Sequence, residues 1–143
     1  MIIIVFSSKG ESMDIQRALV IDTEPILKKL MTTRLNSLGY EVETAPSGLA
    51  ALALGNRLDT MNLVVCSYHL RGEAQLNSIL QLRARLSETT PIIGTSTNPD
   101  ILSQVLQDGF IDAILPQPTD MTKFREIIQR AADVRISRNG NGR

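Results

Sequence analysis

The side chains able to do chemistry in this chain are few, and they recur at regular intervals. Asp22, Thr23 and Glu24 follow one short apolar run, Ser67 ends another, Ser96 stands just past a third and Gln117 past a fourth. One carboxylate with hydroxyls and an amide can hydrogen-bond a small neutral or anionic ligand, or hold a hard cation weakly. Group transfer is a poorer fit, because a serine hydroxyl becomes a nucleophile only beside a base, and none accompanies Ser67. His69, the single histidine, lies two residues beyond Ser67 and reads as a loop or packing residue. Cys66 is the single cysteine, so no internal disulfide and no zinc-ligand cluster can form, which fits a reducing cytoplasm. A plainer reading stands beside each polar residue, since turns and helix starts select Asp, Ser, Thr and Glu for capping alone.

The intervals come from five repeats of one unit: a short β-rich apolar run, a capped turn, then a stretch with helical periodicity. Ala18 to Ile21 is the first run; Pro25 opens a helix with Ile26, Leu27, Leu30, Met31, Leu35 and Leu38 at helical spacing, and Gly39 stops it. Tyr40 to Thr44 alternates apolar and acidic residues, as a strand near a sheet edge would. Ser47 can cap a short helix ending near Gly55, and Leu63 to Cys66 is the continuous apolar run of a strand covered on both faces. Ala74 to Leu86 supplies the third helix. Pro91 to Ile93 then leads through Ser96 to a helix opened by Asn98-Pro99, with Ile101, Leu102, Val105 and Leu106 inward and Gly109 at its end. Ile111 to Leu115 is the fifth strand, and Thr119 or Asp120 starts a last helix with Met121, Phe124, Ile127, Ile128 and Ala131 on its apolar face. Such alternation requires right-handed crossovers, so the expected fold is a doubly wound α/β domain: a five-stranded parallel sheet with helices on both faces. Ligands bind such sheets at the carboxyl ends of the strands, where the polar residues above fall.

A length of 143 residues with 43% hydrophobic composition suits one domain, which we place at residues 16–134. Residues 1–15 form an extension: the run Ile2 to Phe6 either lies upstream of a true start at Met13 or adds an edge strand. That run is too short for a membrane span or a signal-peptide core. Residues 135–143, with Asn139, Gly140, Asn141 and Gly142, read as a frayed tail or linker. Lys plus Arg and Asp plus Glu number 15 each, so no general field favours nucleic acid or an anionic membrane.

Val20-Ile21-Asp22-Thr23-Glu24-Pro25, Leu63-Val64-Val65-Cys66-Ser67 with Leu70 and Gly72, Pro91-Ile92-Ile93 with Ser96, and Gln117-Pro118 together resemble the landmarks of CheY-like response-regulator receiver domains. The resemblance covers about Gln16 to Val134 and implies the flavodoxin-like strand order 2-1-3-4-5. In members that signal by phosphorylation it implies two adjacent acids after strand one holding magnesium. A phosphate-accepting Asp ends strand three, a Ser or Thr follows strand four, and a Lys before Pro follows strand five. Asp22 and Ser96 match, whereas Thr23 replaces the second acid, Ser67 the acceptor and Gln117 the Lys; in a register anchored on Gly109, Pro116 takes that last place. An aromatic that moves inward on activation is also replaced, by Ile114 or Ala113 according to register.

Each carboxylate at about 4 Å gives a divalent ion a gross attraction of roughly 8 kcal/mol at an effective dielectric of about 20. Exchanging two of three carboxylates for hydroxyls removes most of that drive. Magnesium is thus expected to bind weakly or not at all, with Asp22 and Glu24 as weak candidate ligands, and Glu24 is explained more simply by the helix dipole. The leading expectation is a pseudo-receiver: a non-enzymatic, cofactor-free, cytoplasmic module of two-component phosphorelay signalling. It would bind a protein partner or a fused output domain without phosphorylation. The resemblance sets its output face on the fourth and fifth helices, carrying Gln104, Lys123 and Arg130, and homodimerisation through that face is a further expectation. The alternatives are a small-ligand sensor using the Asp22, Thr23, Ser67, Ser96 and Gln117 pocket, or a switch modified on serine. A flavodoxin-like enzyme is disfavoured, because the first turn has no phosphate cradle and two Tyr, three Phe and no Trp offer little to stack on a flavin.

Overall fold

The computed structural model describes residues 15–67, 73–95, 100, 103, 106–107, 109–116 and 119–141. The order of elements is β1 (Gln16–Ile21), α1 (Pro25–Ser37), β2 (Tyr40–Ala45), α2 (Gly48–Leu52), a 3-10 turn (Gly55–Thr60), β3 (Leu63–Ser67), α3 (Glu73–Arg85), β4 (Ile92–Thr95), β5 (Ala113–Leu115) and α4 (Met121–Asn141). All the strand pairings are parallel, and the sheet runs β2-β1-β3-β4-β5. This is the doubly wound α/β sheet expected, with β2 at its edge.

Period-two alternation in the strands divides the interior into two layers. Leu19, Ile21, Val64, Cys66 and Ile92 face Ala51 of α2 and Ile79, Leu82 and Leu86 in and after α3. Ala18, Val20, Leu63, Val65 and Ile93 face Met31 and Leu35 of α1 and Phe124, Ile127 and Ala131 of α4. The three interior strands, β1 from Ala18 onward, β3 and β4, are buried towards both sides because helices cover both.

Local chemistry sets the element ends. Pro25 begins α1, and Gly39 at φ +98° lets the chain turn into β2, with the Leu38 and Gly39 N–H groups donating to Leu35 and Asn36 carbonyls at 3.0 Å. Ser47 Oγ accepts the Ala50 N–H at 3.0 Å, capping α2. Of the two residues proposed to start the last helix, Asp120 is the cap: its Oδ1 accepts the Lys123 N–H at 2.8 Å.

Three expectations are corrected. In α1, Met31 and Leu35 are buried, but Ile26 and Leu30 are exposed, so the inward stripe is narrower than the apolar spacing implied. β5 is shorter than the expected run from Ile111: Asp112 N–H donates to the Ile92 carbonyl, but the Ile92 N–H donates to the Asp112 carboxylate and not to a backbone carbonyl, and the ladder proper starts at Ala113. Third, the frayed tail expected from residue 135 is helical as far as Asn141. Arg135 and Arg138 do not solvate that stretch; both turn back to the Asp112 carboxylate. The helix expected from Asn98 to Gly109 falls largely outside the described residues, although Asp100, Ser103, Leu106 and Gln107 are helical.

Candidate functional site

At the carboxyl ends of β1, β3 and β4 the register brings three buried polar residues together. Ile21 pairs with Cys66 and Ser67 with Thr95, so Asp22, one step beyond Ile21, stands level with Ser67 and Thr95 across three neighbouring strands. Asp22, Ser67 and Thr95 are 6%, 5% and 2% exposed. Burial of a carboxylate demands hydrogen bonds, and Asp22 Oδ1 accepts the Glu24 N–H at 2.9 Å while the Asp22 N–H donates to the Ala45 carbonyl at 3.1 Å. That arrangement turns the chain from β1 into α1 and leaves Thr23 and Glu24 exposed at the rim.

Thr95 is a buried hydroxyl that sequence reasoning did not single out. Thr95 ends β4. Ser96, Gln117, Gln104 and His69 lie outside the described residues, whereas Lys123 and Arg130 are exposed on α4. Seven residues apart, they sit two helical turns from each other on one side of the helix.

Beside this cleft Cys66 is fully buried, and its thiol is pushed far above the ordinary thiol range, first by burial and then by the Asp22 charge. A protonated, sealed thiol is neither a nucleophile nor a metal ligand. Among the described residues no three His, Cys, Asp or Glu side chains gather as a metal site. Magnesium asks for several hard oxygens. Here the described cleft offers one buried carboxylate, with one oxygen already engaged by Glu24 N–H, and two hydroxyls, which does not fit a firmly held divalent ion.

Comparison with known proteins places this geometry. No family model matches the chain. The sensor histidine kinase RcsC of Escherichia coli K12 is 30% identical over 126 residues, which are 85% of this chain but only 13% of RcsC. Among solved structures, a CheY-like response regulator receiver domain from Methylobacillus flagellatus superposes with a TM-score of 0.68 at 22% identity, covering 80% of this chain and 97% of that one. NtrX from Brucella abortus, solved with ATP, gives 0.74 at 20% identity over 90% of this chain and 29% of NtrX. In both RcsC and NtrX the matched part is thus a fraction of a much longer protein. Similarity to a stretch of RcsC over most of its length, together with the CheY-like fold, makes this chain a response-regulator receiver domain.

Proposed function

We propose that the chain is a signalling module of the two-component type that works by protein contact, without phosphorylation of its own, and that it catalyses no reaction. The observation that carries this reading is Ser67. It ends β3, where the receiver resemblance sets the phosphate-accepting Asp, and it is buried level with Asp22 and Thr95. A hydroxyl there needs a base to attack phosphorus at neutral pH, and the carboxylate described beside it, Asp22, has one oxygen engaged by the Glu24 N–H. No cofactor is invoked.

The contact face would be α4 around Lys123 and Arg130, exposed on one side of a helix whose other side fills the core. Its occupant would be an output segment fused to the domain, as the long chains of RcsC and NtrX suggest, or a separate protein or a second copy. The balanced charge favours a protein over nucleic acid or a membrane surface. Among the described residues no helix is long and apolar enough to cross a membrane, and the unpaired, buried Cys66 suits a cytoplasmic setting. Intact-mass measurement after acetyl phosphate and magnesium treatment tests the proposal. No added phosphate is expected, and a stable phosphate mapped to this cleft would overturn it.

A second reading, a small-ligand sensor, is supported by the three buried polar groups at the strand ends. Native mass spectrometry of the purified protein separates the two, since a retained ligand favours the sensor. Modification of Ser67 by a kinase is disfavoured, because a side chain 5% exposed at a strand end cannot enter another active site without local unfolding.

A further inference from the structure

The amino ends of β4 and β5, at the opposite end of the sheet from Asp22 and Ser67, hold three guanidinium groups around one carboxylate. The Asp112 side chain is fully buried, and Arg138, Arg83 and Arg135 approach it at 2.8, 3.7 and 3.7 Å. Arg138 is well employed: its Nη1 donates to the Ile111 carbonyl at 2.7 Å and to Asp112 Oδ1 at 2.8 Å, and it also reaches the Gly109 and Leu106 carbonyls. The other two are not. Arg83 donates through Nη2 to the Ser87 carbonyl at 2.7 Å, but its Nη1, like Arg135 Nη1, stands 3.7 Å from the carboxylate, too far for a hydrogen bond. Arg83 Nη1 and Arg135 Nε are buried nitrogens with no hydrogen-bond acceptor among the described residues.

Two positive charges therefore stand in excess around one negative charge, and no other carboxylate among the described residues pairs with these arginines. Like charges gathered away from water are costly unless compensated. The strain shows in Arg83, which burial, with Arg135 and Arg138 alongside, pushes down to about 10 while leaving it charged at neutral pH. The two nitrogens without acceptors are themselves buried, while the Arg83, Arg135 and Arg138 side chains keep 13%, 14% and 30% of their surface in contact with solvent, so the cluster as a whole reaches the surface.

We propose that Arg83 and Arg135 form an anion-binding site for a compact oxyanion of the phosphate or carboxylate class, held beside Asp112 at the amino end of the sheet. The guanidinium fork matches paired oxygens in one plane, which distinguishes such an ion from chloride. Arg83 lies in the last turn of α3 and Arg135 in the second half of α4, helices that cover opposite faces of the sheet. A bound oxyanion thus bridges the two layers and fastens the end of α4. The site is independent of the cleft at Ser67 and of any reading of it.

The test titrates the full chain with inorganic phosphate and, separately, with malonate, each against sodium chloride at matched ionic strength. Melting temperature and amide exchange in residues 132–138 are followed. A saturable rise in melting temperature with slower exchange is expected, and Arg83→Gln and Arg135→Gln should each weaken the apparent affinity by about tenfold or more, as loss of a charge-assisted contact does. A response to phosphate alone assigns a tetrahedral ligand, and a response to both assigns the wider class. An equal effect of chloride, or a wild-type response in both variants, overturns the site. Phosphorus NMR of phosphate with the unaltered protein gives a reading free of any folding defect in the variants, and absence of line broadening there also overturns it.

Discussion

Asp112 and Ile92 exchange two hydrogen bonds across the amino ends of β4 and β5: the Asp112 N–H donates to the Ile92 carbonyl at 2.7 Å, and the Ile92 N–H donates to Asp112 Oδ2 at 2.8 Å. The side chain thereby does what a strand carbonyl does elsewhere, and its other oxygen takes the Arg138 guanidinium at 2.8 Å. Asp112→Asn keeps the shape but leaves three guanidiniums around a neutral group. It should destabilise the fold by about 3–5 kcal/mol, the usual result of breaking a buried ion pair from one side. Urea denaturation measures this, and a loss under about 1 kcal/mol would show that the carboxylate is not the organising charge. Arg138→Met should cost less and should act on α4 first, loosening residues 132–138 in amide exchange while the strands stay protected.

Gly48 sits where α2 meets α3, and a Cβ there would come within 2.6 Å of Ser78 Cβ. Neither atom can swing away, so Gly48→Ala should lose about 1–3 kcal/mol through forced separation of the helices. Adding Ser78→Gly should recover part of the loss in a double-mutant cycle, and simple additivity would contradict the contact.

Cys66 makes stability sensitive to alkali. In the unfolded chain its thiol ionises near the ordinary value of 9.0, whereas burial and the Asp22 charge keep it protonated in the fold. Above about pH 9 the unfolded state therefore binds fewer protons, and stability falls as pH rises, by up to about 1.4 kcal/mol per pH unit from this group. Cys66→Ala should flatten that decline. Thiol reagents should modify the native protein only as fast as it opens.

Ser67→Asp restores a nucleophile but places a second carboxylate level with Asp22 in a buried cleft. The variant should lose at least about 1–3 kcal/mol of stability and should label slowly with acetyl phosphate. Adding Thr23→Asp and Gln117→Lys should make magnesium binding measurable and speed the labelling, because acceptor, metal ligands and cation act together on one phosphoryl group. A single variant that labels as fast as the triple would show that Thr23 and Gln117 do not disable the cleft.

Lys123 and Arg130 are exposed on α4. Lys123→Glu with Arg130→Glu should leave the melting temperature within the small range of surface substitutions, about 0.5 kcal/mol, yet weaken association. Sedimentation and pull-down with the native partner read this out, and unchanged association places the contact face elsewhere.

The sheet was legible because its signals are local and repeated. Apolar runs of four or five residues, capping residues and stopping glycines such as Gly39 act within a few positions, so the parallel five-stranded sheet and the cleft around Asp22 and Ser67 could be read from the chain alone, while the strand order came with the receiver resemblance. That Thr95 is buried level with Ser67 required the register of β4 against β3. The Asp112 cluster was hidden. Arg83 and the Arg135–Arg138 pair lie far from each other and from Asp112 along the sequence, and in a one-dimensional reading charged residues near a Gly- and Asn-rich end suggest solvent. Tertiary structure decided otherwise, because a carboxylate buried at a strand end must be neutralised, and only long guanidinium side chains on α3 and α4 can reach it there.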